Sequence, residues 1–427
     1  MTDGAPPPQG SGPSVRPGPS PWAAWVDESC RGVEAAGQWR RPRSFDARGA
    51  AGSLEGNGTG PGSTDTRPVV SFASNDYLGL TTEPEVVAAA HRALDRWGAG
   101  AGASRLVTGS RPVHAELESA LADWKGCEQA VVFPTGFAAN LSVLSVFGTE
   151  GAHVFSDELN HASIIDGCRL GRAGVTVFAH GDLAGLDVAV GRTSGRPIII
   201  SDSVFSMDGD QVDVGGLMAV AARHGALLVL DEAHAVLGPE LPPESDRGGV
   251  DLLRMGTLSK TLGSLGGFVA GPARFVELLV NRARPYIFTT APTPADAAAA
   301  LAAVKIVCSP RGAHLRARLA AHVDRVARSV GRPDHGSPII PVVIGDETDA
   351  VRASTDLLGQ GLWVPAIRPP TVPRGTSRLR ITLSAAHTDE QVDRLVAALD
   401  RMELGPPHRA APAPTGRPDG VRADVAS

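Results

Sequence analysis

The 427-residue chain is poor in several things that mark common protein classes. Its four cysteines (Cys30, Cys127, Cys168, Cys308) are scattered, with no CxxC pair, which argues against a zinc knuckle or a small disulfide scaffold. Scattered thiols of this kind suit a reducing cytoplasm. No apolar run reaches the ~18 residues of a membrane span, so no membrane partner is expected. Met1 to Pro21 has neither a basic region nor an apolar core, so a signal peptide is not expected there. A formal net charge of −6 gives no broad basic surface, and nucleic acid is not an expected partner.

Lysine is scarce as well. Of 40 basic side chains only Lys125, Lys260 and Lys305 are lysines; the rest are arginine. Arg and Lys serve about equally well on an open surface, but only a lysine can lose its proton and act as a nucleophile or Schiff-base former. Each lysine is therefore a candidate. Lys125 and Lys305 fall in helical stretches beside polar residues and read as ordinary solvated side chains. Lys260 differs, since Thr261-Leu262-Gly263-Ser264-Leu265-Gly266-Gly267 follows it and lets a ligand approach the backbone closely.

What is abundant is glycine and proline, 50 and 34 residues, against 42% hydrophobic residues that still supply a core. Composition divides the chain into a disordered tail (1–21), an N-terminal segment (22–80) containing a Gly-rich exposed loop (49–68), a large domain (81–305), a smaller C-terminal domain (306–404) and a second tail (405–427). Strand-like runs at 130–133, 153–156, 175–178, 197–201, 226–230 and 267–270 alternate with helical segments such as 137–147 and 217–224. That alternation predicts an α/β fold with a mainly parallel sheet. Ile198-Ile199-Ile200 and 227–230 are apolar throughout and predict strands buried on both faces. The stretches 339–344, 379–383 and 390–402 predict the smaller C-terminal α/β domain.

Ligands of such sheets sit beyond the carboxyl ends of the strands. There the chain places Asp231 and, three residues on, His234. An anion at that position suits the ring nitrogen of pyridoxal phosphate, which accepts electrons far better when protonated; His234 would lie near the ring hydroxyl. A turn-forming Asp and a satisfied His account for this pair about equally well when it stands alone. Lys260 lies 29 residues beyond Asp231, a gap expected to hold one helix and one strand. Gly136-Phe137 opens a helix directly after a strand, where free N–H groups favour a phosphate, and Thr257 and Ser259 add hydroxyls. His161 follows a strand and could lie flat on a cofactor or protonate an oxyanion.

In this order, Asp231-Glu232-Ala233-His234 and Thr257-Leu258-Ser259-Lys260 resemble the α-oxoamine synthases, pyridoxal-phosphate enzymes of fold type I (aspartate-aminotransferase-like). The resemblance extends through Ser71 to Leu80, Gly136 to Asn140, Asn160 to Ser163 and Val204 to Asp210, about three quarters of the chain. It implies pyridoxal 5′-phosphate held by Lys260, with Asp231 at the ring nitrogen and His161 stacked on the ring. Gly136, Phe137 and Thr257 would serve the phosphate, and Ser206 and His234 the ring substituents. Arg380 would clamp the amino-acid carboxylate, with Asn75 and Thr371 also contacting substrate. The site would be shared in a homodimer, where Thr290, beside Thr289, reaches the partner's phosphate. The stretch Ala366 to Pro373, with Arg368-Pro369-Pro370-Thr371, looks like the family member that joins L-alanine to a pimeloyl thioester of CoA or acyl carrier protein. Arg40 is the nearest match to an N-terminal acyl-substrate arginine, with Arg41 and Arg43 crowding the register. A sister synthase using glycine or serine, or a non-catalytic protein on the same scaffold, are the competing expectations.

Overall fold

The computed structural model describes residues 20–36, 38–40, 42–56, 66–241 and 248–402. The two proline- and glycine-rich tails up to residue 19 and from residue 403, the centre of the Gly-rich segment and Arg41 lie outside the described residues. Among the described residues the strands are, in order, β1 (Phe45–Ala47), β2 (Ala51–Glu55), β3 (Thr66–Ser71), β4 (Gln129–Phe133), β5 (Ala152–Asp157), β6 (Gly174–Phe178) and β7 (Arg196–Asp202). They continue with β8 (Leu227–Asp231), β9 (Leu252–Thr257), β10 (Gly267–Gly271), β11 (Ile339–Gly345), β12 (Leu362–Trp363), β13 (Ala366–Ile367) and β14 (Ser377–Thr382).

Seven strands form the central sheet in the order β4-β10-β9-β8-β7-β5-β6. From β9 to β6 every neighbour is parallel, while β10 runs antiparallel to both β9 and β4. The period-2 geometry of a strand explains why these runs are apolar throughout. Ile198 and Ile200 point to one face, packing with Val143, Leu144 and Ile164 of the helices Gly136–Phe147 and Ala162–Leu170. Ile199 points to the other, packing with Leu186, Leu217 and Ala221 of the helices Leu183–Gly191 and Val214–His224. A parallel sheet sandwiched by helices is the fold the alternation predicts.

The reversal of β10 has a simple cause. Only nine residues, 258–266, separate it from β9, too few for a crossover helix, so the chain must turn straight back. Lys260 is carried by this short loop. The connection from β8 to β9 corrects an expectation: it contains no helix among its described residues, only turns.

A second correction concerns the Gly-rich segment. Its flanks are not loop but the hairpin strands β2 and β3, paired from Ala51↔Val70 to Glu55↔Thr66, with Leu54 fully enclosed. Small residues around one leucine give too weak an alternation to be read as a strand. β1, β2, β3 and β12 make one small sheet, and β11, β14 and β13 another. All six residues of β14 are buried, including Arg378 and Arg380.

Candidate functional site

Three neighbouring parallel strands end in aspartate: β5 in Asp157, β7 in Asp202 and β8 in Asp231. Asp202 and Asp231 are paired across the ladder and both are buried. Asp231 accepts hydrogen bonds from Asn140 Nδ2 and from the backbone N–H of Ala233, each at 2.9 Å. These donors hold the carboxylate where the helix Gly136–Phe147 meets the strand end. Asp202 accepts from the His161 backbone N–H at 2.7 Å, fixing the position of that residue at the start of its helix. Burial and the Asp231 charge together push the Asp202 carboxyl well above the usual carboxylate range.

Lys260 Nζ lies 2.8 Å from His234 Nε2. His234 is buried, and burial, with the Lys260 and Arg380 charges, holds its imidazole well below the ordinary histidine range. A neutral ring that accepts from Lys260 at Nε2 carries its proton on Nδ1 and donates it to the Tyr77 hydroxyl. Tyr77 in turn donates to Asn75 Oδ1 at 3.2 Å, and the same oxygen accepts from Arg380 Nη2 at 3.2 Å. A continuous polar chain thus joins Lys260 to Arg380. Arg380 is further held by the Ser206 carbonyl (2.6 Å, from Nε) and Thr382 Oγ1 (2.8 Å, from Nη1). Burial lowers the Lys260 amine from its ordinary value, Asp231 and Asp202 oppose this, and Arg380 reinforces it.

His161 is exposed as a residue, but its ring is part-buried where it meets Ser163 and stands edge-on to Phe137 with centroids 6.5 Å apart. Its Nδ1 is engaged by Ser163 Oγ at 2.7 Å. Burial lowers its imidazole from the ordinary value, against Asp231 and with Lys260. Thr135 caps the helix Gly136–Phe147 by accepting from Ala138, while the N–H groups of Gly136 and Phe137 have no intrahelical partner. Thr257 Oγ1 and Ser259 Oγ are 2.7 Å apart.

These residues fit pyridoxal phosphate. A Cβ on Gly136 would come within 3.3 Å of Thr257, so glycine keeps the mouth between helix start and hydroxyls open to an anion. Asn140 Oδ1 is buried without a partner beside Asp231, a polar atom left over in the wall of the cleft.

Residues 67–399 match the family model described as aminotransferase class I and II. The chain belongs to this family. The 8-amino-7-oxononanoate synthase of Anaeromyxobacter sp. (strain K) is 47% identical over 370 residues, 83% of this chain and 92% of its own. Among solved structures, the serine palmitoyltransferase of Sphingomonas wittichii is 30% identical with a TM-score of 0.78, covering 89% of this chain and 96% of its own. An SPT solved with PLP is 29% identical with a TM-score of 0.78, covering 90% and 98%. Within the family the chain is a pyridoxal-phosphate-dependent α-oxoamine synthase of fold type I, most like 8-amino-7-oxononanoate synthase.

The α-oxoamine synthase fold brings Lys260, His161, Asp231, His234, Ser206, Asn75 and Arg380 into one connected set. Thr371 sits on an exposed turn, its N–H donating to the Arg368 carbonyl. Arg40 and Arg368 face a different cleft of about 610 Å³, together with Arg43, Arg67, Trp39 and Trp363. None of Lys260, His161, Asp231 and Arg380 lines that cleft. Thr289 and Thr290 are exposed, with Thr290 bridged to Ser104.

Sequence reasoning missed Tyr77, Asp202 and Asn140. Tyr77 carried a usable signal, since the chain has only two tyrosines. Lys125 is not the solvated side chain expected: it is buried, 2.7 Å from Glu232 and 3.9 Å from the Trp124 ring centroid. No helix among the described residues is long and apolar enough to cross a membrane.

Proposed function

We propose that the chain is a cytoplasmic homodimeric synthase that condenses L-alanine with a pimeloyl thioester, releasing thiol and carbon dioxide and forming 8-amino-7-oxononanoate for biotin biosynthesis. The observation that carries the chemistry is Lys260, a lysine in contact with a neutral histidine at the end of a chain that starts on the buried guanidinium of Arg380. Similarity at 47% to 8-amino-7-oxononanoate synthase, against 30% to serine palmitoyltransferase, carries the choice of substrates.

Pyridoxal phosphate, when bound, supplies a carbonyl for the substrate amine and an electron sink for the Cα carbanion. Lys260 would hold it covalently, Asp231 would keep its ring nitrogen protonated, and Gly136, Phe137 and Thr257 would hold its phosphate. Arg380 would take the alanine carboxylate as a bidentate fork. The Lys260 amine, released on substrate entry, would remove the Cα proton. Burial lowers the basicity of that amine, which favours the free base relative to a solvated lysine. His161 Nε2, the ring nitrogen not engaged by Ser163, would donate a hydrogen bond to the acyl oxygen while the Cα–C bond forms. The carbonyl re-forms as the C–S bond breaks, and the leaving thiolate takes up the proton that Lys260 removed from Cα. Loss of carbon dioxide from the β-keto acid then makes the sequence effectively irreversible.

A pimeloyl chain ends in a carboxylate, and burying one without a partner is costly. Among the described residues the cleft of Arg40, Arg43, Arg67 and Arg368 has no acidic lining residue, and its Ala366 pairs with Leu379, the neighbour of Arg380. It supports an anionic acyl donor. In one chain Thr290 faces solvent, which suits a role across the dimer. The test is a panel of alanine, glycine and serine against pimeloyl, palmitoyl and acetyl thioesters, following thiol release. Turnover only with alanine and pimeloyl is expected, and Arg40→Gln or Arg368→Gln should weaken pimeloyl use without affecting alanine binding. Preference for serine with palmitoyl thioester would replace this reading with that of a sister synthase.

A further inference from the structure

His180 follows β6 and lies between two carboxylates. Its Nδ1 is 3.0 Å from Asp157 Oδ2 and its Nε2 is 2.6 Å from Asp210 Oδ2. A neutral imidazole has a single N–H, and an ionised carboxylate can only accept, so both contacts are satisfied together only by the doubly protonated ring. The Asp157 side chain is completely enclosed, and Phe205 stands edge-on to the imidazole at 4.5 Å.

Asp210 belongs to a tight loop, 204–211, closed by the Val204↔Gln211 bridge and by the bonds Phe205 N–H to Asp210 O and Gly209 N–H to Phe205 O. On its other side this loop grips the C-terminal part of the chain. The Ser206 carbonyl accepts from Arg380, Asp208 pairs with Arg378, and Gln211 Nε2 donates to the Gly336 carbonyl at 3.0 Å. Gly209, at φ +68°, approaches β11 so closely that a Cβ would lie 2.0 Å from the Ile339 carbonyl oxygen. The loop is therefore a wedge between the central sheet and β14, and His180 ties it to β5 by charge.

We propose that His180 is a positioning residue for the amino-acid substrate: clamped between Asp157 and Asp210, it fixes the loop whose Ser206 carbonyl aims Arg380 at the substrate carboxylate. This rests on the role given to Arg380 above. The titratable groups around the ring are Asp157, Asp210, Glu158, which accepts from the His180 backbone N–H at 2.9 Å, and His335, which faces Asp210 from the C-terminal side and is itself lowered by burial. The hydrogen bonds that the ring donates to Asp157 and Asp210 raise the imidazole to about 10, with burial opposing. The clamp therefore stays charged across the neutral range.

Asp210→Asn removes one carboxylate and lets His180 lose its proton at lower pH. L-alanine binding, read from the cofactor absorbance without acyl donor, should be independent of clamp charge in the wild type from neutral to mildly alkaline pH. In Asp210→Asn it should weaken about tenfold as pH rises, the worth of one charge-assisted hydrogen bond, with cofactor content unchanged. His180→Gln should bind alanine weakly at every pH, and Arg380→Gln should not bind it. A second reading needs no cofactor. A folded imidazole above its unfolded value contributes stability that is present below the unfolded value and lost as pH rises through about 10. The thermal midpoint of the apoprotein should therefore fall over that window, and fall less in His180→Gln. If His180→Gln does not fold, Asp210→Asn carries the test, its side chain being partly exposed. Wild-type alanine affinity and pH profile in Asp210→Asn, with binding abolished in Arg380→Gln, would overturn the role of His180 alone. Normal alanine binding by Arg380→Gln would overturn both assignments.

Discussion

Glu232, the neighbour of Asp231, belongs to the scaffold behind the site. Its carboxylate receives Lys125 Nζ at 2.7 Å, Arg254 Nε at 2.7 Å and Arg254 Nη2 at 3.0 Å. The three side chains are only 9%, 6% and 15% exposed for Lys125, Glu232 and Arg254. Burial pulls the Lys125 amine below its ordinary value despite Glu232, with Arg254 reinforcing the shift. Burial pulls Glu232 upward, but the Lys125 and Arg254 charges outweigh it and hold the carboxyl below its ordinary value. The two shifts look inconsistent only for an isolated pair. Here the carboxylate has two cationic partners, whereas the lysine has one partner and one like charge.

Glu232→Gln keeps the shape and leaves two buried cations facing an amide. Removing one partner of a buried ion pair costs about 3–5 kcal/mol. With an unfolding entropy of about 2.1 cal/mol/K per residue, a chain of this size should lose roughly 3–6 °C in thermal midpoint. Lys125→Met should cost less than half as much, because Glu232 keeps both hydrogen bonds from Arg254. Because the carboxyl is held low in the folded state, its stabilisation is present above the unfolded carboxyl value and lost as pH falls through the folded one. The difference between wild type and Glu232→Gln should therefore shrink in acid. Calorimetry of the three proteins at neutral and acidic pH checks this. A Glu232→Gln protein that melts with the wild type refutes the reasoning.

Other consequences can be checked separately. Borohydride treatment of the holoenzyme should fix the cofactor to the peptide bearing Lys260, and labelling at Lys125 or Lys305 would remove Lys260 from its role. Asp231→Asn should still take up cofactor but slow exchange of the alanine Cα proton in deuterated water by about a hundredfold or more, each factor of ten being ~1.4 kcal/mol; near-normal exchange would exclude it from the electronic role. His387, enclosed between Ser71 and Ser384 and stacked on Phe72, is held down to about 4 by burial. The unfolded chain takes up that proton first, so stability should fall as pH drops below the ordinary histidine value, and urea titrations of His387→Gln should show a flatter acid limb.

The parts of the fold legible in the sequence are those whose signal is local. β7 and β8 announce themselves because burial on both faces demands an unbroken apolar run, and the site follows because such sheets bind ligands at their carboxyl ends. β9 is absent from the runs read as strands. Its Leu252-Leu253-Arg254-Met255-Gly256-Thr257 places an arginine inside a central strand, and that arginine is tolerated only because Glu232 receives it. The scarcity of lysine singles out Lys260 for a sound reason, yet the same reasoning passes over Lys125, whose partner lies 107 residues away. Tyr77 meets His234 across 157 residues, and Asn75 meets Arg380 across 305. Residue type limits which groups are able to do chemistry; pairings at such separations decide which of them are held in place to do it. The Lys260–Arg380 chain shows why this matters. The sequence marks Lys260, His234, Asn75 and Arg380 one at a time, and only the fold, through Tyr77, makes the charge of the amino-acid anchor and the basicity of the lysine parts of one network.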